Sequence, residues 1–459
     1  MSDMKLNIFL PLIGALLLAT SCMKSENTDD LELSNHCAIT NVVIGTLHRV
    51  VQTKRVTGED TSYVTSLYGG YYPMYIDQLN REIYNTDSLP VGTNVKAVVF
   101  SSITSDGVLT YRTESGNDTI FNASDSLDFT NPRIFTCYPY SGVGKKSYRI
   151  HVNVHKVDPQ AFTWNQVPSE PSLPNMEVKK SMVRDGELYV FAVSGTEQYA
   201  FKRATYSNGD WERQALTGQV PDELSGISLF KQTFYGVSQY KVVTSKDGVE
   251  WTEISDQSSL GLKFICGSTD DALYAIGNEG FYASPNGLLW TRDAQEPVLD
   301  DLPNNHLSSV VMSMSFNEAF QYILISGYNQ NAETVLWKKL VDASGDNNDV
   351  WSRYSGIDGT PYGLPHLPSP SMISYDERLL YLGCKDDTLS LFYVSEDAGR
   401  NWRPNANVYV HPRGIPATSV SAAVDDEHYV WLVCGGSGEV WRGRLNQLAF
   451  EKQQTAYTK

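Results

Sequence analysis

Cysteine is scarce in this 459-residue chain, with six in all: Cys22, Cys37, Cys137, Cys266, Cys384 and Cys434. No two stand in a CxxC or in a Cys/His spacing that could close a zinc site, and five remain after Cys22, an odd number that argues against a dense disulfide framework. Cys266, Cys384 and Cys434 each sit in an apolar stretch and read as buried thiols, while Cys37 and Cys137 share the first domain and are the one pair open to bridging. Positive charge is also in short supply. Lys and Arg number 36 against 53 Asp and Glu, and a net charge of -17 argues against a phosphate-binding surface and hence against a nucleic-acid partner. Also missing are an apolar run long enough to span a bilayer, a GxxxxGK[ST] phosphate loop, an HExxH zinc helix and a GxSxG elbow. No metal or cofactor is expected.

What is present begins with Lys5 and an apolar run from Ile8 to Leu18, interrupted by Pro11 and Gly14, and then the small residues Ala19, Thr20 and Ser21 before Cys22. This reads as a signal peptide over 1–21, with translation expected to start at Met4. The junction resembles the lipobox of bacterial lipoproteins, although Ala19 stands where Leu or Val is usual. That resemblance implies an acylated Cys22 that anchors the chain to a membrane without crossing it. Met23, which is not Asp, implies the outer membrane, on its periplasmic or cell-surface side. Residues 22–35, with Glu26, Asp29, Asp30 and Glu32 and no periodic apolar face, form an acidic tether.

Residues 36–157 hold short apolar runs (Val42 to Ile44, Val95 to Phe100) and a strict alternation at Tyr148, Ile150, Val152 and Val154, separated by turn signals such as Asp106-Gly107. The pattern predicts antiparallel strands in an immunoglobulin-like β-sandwich. His151 and His155 share one face of its last strand, and without further ligands they read as a partly solvated pair.

From 158 to 459 an apolar strand recurs six times, at Leu188 to Phe191, Phe234 to Val237, Leu273 to Ile276, Tyr322 to Ile325, Leu380 to Leu382 and Tyr429 to Leu432. Tryptophans at 164, 211, 251, 290, 351 and 402 mark the starts of fourth strands. The first of these strands has no repeat before it, and the last repeat, through Trp441, has only three strands. Because a ring of sheets must hide its edges, the spacing predicts a six-bladed β-propeller closed by the N-terminal strand around Trp164. Three tips carry a pattern, Ser245, Asp247, Gly248, Trp251; Ser284, Asn286, Gly287, Trp290; and Ser395, Asp397, Gly399, Trp402, that resembles the Asp-box of sialidase-like propellers. In that motif the polar side chains bond turn amides, Gly supplies a positive φ and Trp anchors the next strand. Together with the lipobox and the stretch Tyr75-Ile76-Asp77 through Leu89-Pro90, these boxes resemble a family of Bacteroidota lipoproteins that join such a module to a propeller. The resemblance implies architecture and address, not chemistry.

Sialidases carry three arginines for the substrate carboxylate, a Tyr-Glu nucleophile pair, an Asp acid and an early Arg-Ile-Pro, and that constellation is not visible here. The nearest string, Arg413-Gly414-Ile415-Pro416, is interrupted and falls in the last interblade loop. Carboxylates for another glycosidase mechanism exist at Asp300, Asp301 and Asp358, but sequence adjacency is not a geometry. The long blade-joining loops 292–307, 353–370 and 403–417 lie on the rim opposite the boxes, and besides Asp300, Asp301 and His306 they supply the candidate ligand-binding residues Arg353, Tyr354, Tyr362, His366, Tyr409, His411 and Arg413. Aromatic rings beside convergent polar groups suit carbohydrate. The expected function is a membrane-tethered, non-catalytic binding protein for a glycan or a protein partner. The alternative is a glycoside hydrolase or lyase of sialidase-like fold.

Overall fold

A computed structural model describes residues 33–54, 60–113, 115–206, 209–297, 301–314, 317–345, 348–354, 360–404 and 408–449. The signal peptide, Cys22 and most of the tether, together with Asp300, Asp358 and Ser207-Asn208, lie outside the described residues. The chain divides into two compact units at Asp158/Pro159, and among the described residues both are built from β-strands with only short 3₁₀ turns.

In the first unit a six-stranded sheet runs in the order Met74–Asp77, Glu82–Asn85, Lys146–His151, Arg133–Tyr138, Val108–Arg112, Asp118–Ile120. Ile39–Ile44 pairs with Phe100–Ser105, and Thr46–Lys54 with Asp60–Tyr68. One expectation is corrected here: the strands are not all antiparallel, since Lys146–His151 lies parallel to Glu82–Asn85. The chain makes three further strands of that sheet between these two, so it re-enters beside its earlier strand in the same direction. The alternating residues Tyr148 and Ile150 do face the core, with Ile39, Ile83, Phe100 and Phe135. Cys37 and Cys137 are both buried there as free thiols.

Among the described residues the second unit contains six sheets of four or five strands, besides a two-stranded pair of Cys384–Lys385 with Thr388–Leu389. In sequence order, the first has Glu177–Arg184, Glu187–Ser194, Glu197–Ala204 and Glu212–Ala215. The second has Ser228–Phe230, Thr233–Ser238, Lys241–Ser245 and Glu250–Asp256, with Thr217–Gly218 added in parallel at its outer edge. The third has Phe264–Ser268, Leu273–Gly277, Gly280–Ser284 and Thr291–Arg292. The fourth has Asn305–Met314, Asn317–Tyr328, Thr334–Asp342 and Ser352–Arg353, and the fifth Ser371–Tyr375, Arg378–Leu382, Tyr393–Ser395 and Arg403–Pro404. In the sixth, Ser419–Val424, Val430–Gly435 and Val440–Leu445 are completed by the early strand Phe162–Val167, with Trp164 opposite Gly443.

Each pair of successive sheets shares one apolar core. Tyr189 and Phe191 of the first sheet meet Phe234 and Val243 of the second, Val242 meets Ile265 and Leu273, Phe264 and Phe281 meet Ile323 and Trp337, Leu324 meets Leu379 and Tyr381, and Leu380 meets Val420 and Leu432. The sixth sheet then returns to the first through Trp431, Val433, Val178 and Leu188. The fourth-strand tryptophans follow one rule: Trp211, Trp251, Trp290, Trp351, Trp402 and Trp164 each pack into the core that their sheet shares with the preceding one. Inner strands are tied by serine hydroxyls that accept neighbouring backbone amides: Ser308 from Met372, Ser371 from Ala422, Ser419 from Val178 and Ser421 from Ser181. These bonds satisfy amides that no strand partner reaches.

Candidate functional site

The three repeated tips are satisfied within themselves. Ser245, Ser284 and Ser395 accept the amides of Gly248, Gly287 and Gly399 at 2.8 to 2.9 Å. Asp247, Asn286 and Asp397 accept amides two to four residues further on. The glycines have φ of 81°, 75° and 91°. Burial raises the Asp247 and Asp397 carboxyls, but the bonds to turn amides and side chains outweigh it and hold both below the usual range. These carboxylates are committed to turns.

Because every sheet is antiparallel from first to fourth strand, the second-to-third hairpins and the sheet-joining segments share the rim opposite these tips. Two cavities open there. One, of about 440 Å³, lies among the starts of inner strands, with Glu177, Lys179, Glu223, His306, Ser369 and Thr418 on its wall. The other, of about 550 Å³, is a groove between the fourth and fifth sheets, lined by Glu333, Thr334, Arg353, Tyr354, His366 and Trp402 among others. An aromatic row joins them: the His306 ring lies 4.7 Å from that of Tyr328, and Tyr328 stacks on His366 at 4.0 Å and 12°. His306 and His366 are both exposed.

One wall of the groove is a polar network. Arg353 pairs with Asp301 at 3.1 Å, and the Asn329 amide donates both to Asp301 (2.8 Å) and to Glu333 (3.0 Å). Asn329 is buried, and its own oxygen accepts the amides of Asn331 and Glu333, so it fixes the hairpin tip. Thr334 Oγ1 lies 3.1 Å from His366 Nδ1. Tyr354 donates its hydroxyl to the Ala398 carbonyl, and burial, aided by the Asp397 carboxylate, pushes it up to about 12. It is a protonated donor at neutral pH, not an activated nucleophile.

Of the residues expected to converge, Arg353, Tyr354 and His366 line this groove. Tyr362 flanks it, its carbonyl accepting the Trp402 amide at 2.8 Å while Arg403 lies over its half-exposed ring. Tyr409, His411 and Arg413 do not join them. Residues 408–417 run along the flank between the fifth and sixth sheets instead. There Tyr409 is buried with its hydroxyl on Asp376, in the hairpin between first and second strands, at the rim of the box tips. His411 is buried with its nitrogens 2.7 Å from the Ser390 carbonyl and 2.8 Å from that of Pro412, and burial lowers its pKa. Arg413 is exposed further along the same loop. The sequence reading missed Tyr328, Asn329 and Glu333, because it considered only sheet-joining loops. The signal was available, since the hairpin 328–334 must emerge on the same rim as those loops.

Among the described residues no group of His, Cys, Asp and Glu is arranged to hold a metal ion, and no helix is long and apolar enough to cross a membrane. Two family models match the chain: the DUF6242 beta propeller domain over residues 158–453 and the DUF6242 N-terminal domain over 42–152. No curated protein matches it. Solved structures that resemble it include a Trichoderma reesei carbohydrate-active enzyme of family AA12 (TM-score 0.39, 9% identity, 62% of this chain and 96% of that one). A Hadza microbial sialidase aligns with TM-score 0.37 and 8% identity over 89% and 92% of the two chains. The fucose-recognising, six-bladed lectin of Aleuria aurantia aligns with TM-score 0.36 and 14% identity over 60% and 93%.

Proposed function

The chain belongs to the DUF6242 β-propeller family, and from that premise we propose that it is a membrane-tethered, non-catalytic binding protein for glycan, using the rim opposite the Asp-box tips. The observation that carries this reading is the pair of exposed rings His306 and His366, which pack against the buried Tyr328 ring between two polar cavities. Sugar rings stack on such surfaces through their C–H faces, while hydroxyls take hydrogen bonds from the flanking polar groups. In the groove the polar groups are tied to one another, which favours a positioning role for them. Asp301 and Glu333 share one Asn329 amide, Asp301 also holds Arg353, and Tyr354 is held as a donor to a carbonyl.

Architecture and address follow the same proposal. The C-terminal unit is six blades, the sixth composite, and six interlocking cores support that count. The N-terminal unit is an immunoglobulin-like module. Lipid on Cys22 holds the protein at the outer membrane of a Bacteroidota cell, as the lipobox-like junction supports. A glycan-array screen of the full chain tests the function. The reading requires defined glycans that bind and are recovered intact, and it fails if no glycan binds or if bound glycan is cleaved.

A further inference from the structure

In the first unit, the hairpin of Thr46–Lys54 with Asp60–Tyr68 is a sheet of two strands only, paired through nine successive positions without a bulge. Its two edges differ. In an antiparallel ribbon the N–H and C=O of one residue point to the same side, and the side alternates along the strand. On the first strand Val50 donates its amide to the Gly92 carbonyl at 2.9 Å, and the His48 carbonyl accepts the Asn94 amide at 2.8 Å. Residues 92–94 thus close that edge, and His48 and Val50 face away from the hairpin partner. Leu47, Arg49 and Val51 therefore face inward, to Leu67, Thr65 and Tyr63. It follows that Ser62, Val64, Ser66 and Tyr68 turn their N–H and C=O groups to the outer edge of the second strand. Among the described residues those groups meet no other strand and no side chain. None of the usual edge protections is there, because Thr61 to Tyr68 holds no charge, no proline and no glycine. The side chains along it are apolar and exposed, Tyr63 at 55%, Val64 at 66% and Tyr68 at 50%.

Such an edge is a template for another strand, and a ribbon of two strands is marginal until more join it. Charge directs which strand that is. Two copies of a chain of net charge -17 repel one another over most of their surface, whereas Thr61 to Tyr68 meets its own copy with no like charges opposed. The strand also fits itself. An antiparallel copy turned about a two-fold axis at Thr65 sets Ser62 opposite the partner's Tyr68 and Val64 opposite the partner's Ser66, so the backbone groups of all four outward residues are used. Thr65 then stands against the partner's Thr65, and Tyr63 against the partner's Leu67, pairings that stabilise a sheet. We propose that the Asp60–Tyr68 edge is a homodimer interface, in which this strand adds to a second copy of itself and two hairpins become one four-stranded antiparallel sheet. The first unit carries this interface whether or not the second unit binds glycan.

The test is sedimentation velocity of the full-length protein from about 1 to 200 µM, the span in which a small strand-pairing interface associates. The mass should rise with concentration from that of one chain toward twice that value. Val64→Pro removes an outward N–H that the hairpin does not use, and Val64→Lys sets like charges on the edge. Each should weaken association by about tenfold or more, and the lysine variant should keep the parent's melting temperature at dilution. Gln52→Lys, exposed on the opposite edge, should leave association unchanged. Thr65→Cys reads the register. The two-fold brings its Cα to about 4.5 Å from its counterpart, within disulfide reach, so a mild thiol oxidant should link two copies of that variant and not of the parent. Hydrogen exchange should show the amides of Ser62, Val64, Ser66 and Tyr68 gaining protection as concentration rises. A protein that stays monomeric throughout, or a dimer that withstands both Val64 variants, would overturn the proposal. Edge amides already protected in the monomer would overturn it as well, since another part of the same chain would then cover the strand.

Discussion

Replacing the tip tryptophans by phenylalanine separates two terms that usually travel together. Trp402 and Trp290 each donate their indole N–H to the carbonyl of the tip glycine, Gly399 and Gly287, at 2.9 Å. Trp251 occupies the same position in its own tip and is just as buried, yet among the described residues its indole nitrogen has no partner. Trp→Phe removes the same atoms at all three sites, so the loss of packing largely cancels in a comparison. At 402 and 290 the change also discards a hydrogen bond worth about 1 kcal/mol. At 251 it removes a buried donor whose desolvation costs about 1 to 3 kcal/mol. Trp251→Phe should therefore be milder than Trp402→Phe by roughly 2 to 4 kcal/mol, the sum of those two terms. Trp251→Ala, which empties the site, should still cost about 3 to 5 kcal/mol. Urea unfolding followed by circular dichroism reads these differences as shifts in midpoint at constant slope. Equal losses at 251 and 402, or a larger loss at 251, would show that the orphaned nitrogen does not matter.

Gly443→Ala should loosen the strand that completes the sixth sheet, because a Cβ there would overlap the Trp164 indole; a cost of about 1 to 3 kcal/mol and faster proteolysis around residues 158–170 are expected, and unchanged protection would contradict the packing. Lys180, on the innermost strand of the first sheet, is lowered by burial to about 8 from 10.5. Its folded-state pKa lies below its unfolded value, so the protein is less stable with Lys180 protonated, and stability falls as pH drops from about 10.5 through about 8. Solvent reaches part of this side chain, so Lys180→Met should stabilise by roughly 1 to 2 kcal/mol at neutral pH, less than the full linkage value. That gain should vanish at strongly alkaline pH in thermal melts, and a gain independent of pH would refute the assignment. Cys22→Ala should move the protein out of the membrane fraction; retention, with no acyl label on the parent, would refute the lipid anchor.

The sheets were legible because their signals are local. The apolar runs Leu188 to Phe191, Leu273 to Ile276 and Tyr322 to Ile325 all fall within second strands, and the orphan strand at Trp164 follows from counting edges. The parallel pairing of Glu82–Asn85 with Lys146–His151 was not legible, since no local pattern records where a returning strand will land. The candidate site was legible in part for the same reason. Loop length located Arg353 and His366, but not the course of residues 408–417, which is set by the Tyr409 contact with Asp376 and the burial of His411. Tyr328 looked like the end of an ordinary strand, and only its stacking on His366 shows that it supports an exposed ring.

The central claim is that the aromatic row between the two cavities binds glycan. Its most direct test is to titrate the best-binding glycan from the array against the full-length protein and against a His306→Ala/His366→Ala double variant, following glycan integrity by mass spectrometry in the same samples. The account predicts an unchanged melting temperature, a loss of affinity of about tenfold to a hundredfold from the two exposed rings, and intact glycan throughout. Undiminished affinity in the double variant, or cleavage of the glycan by the parent protein, would contradict it.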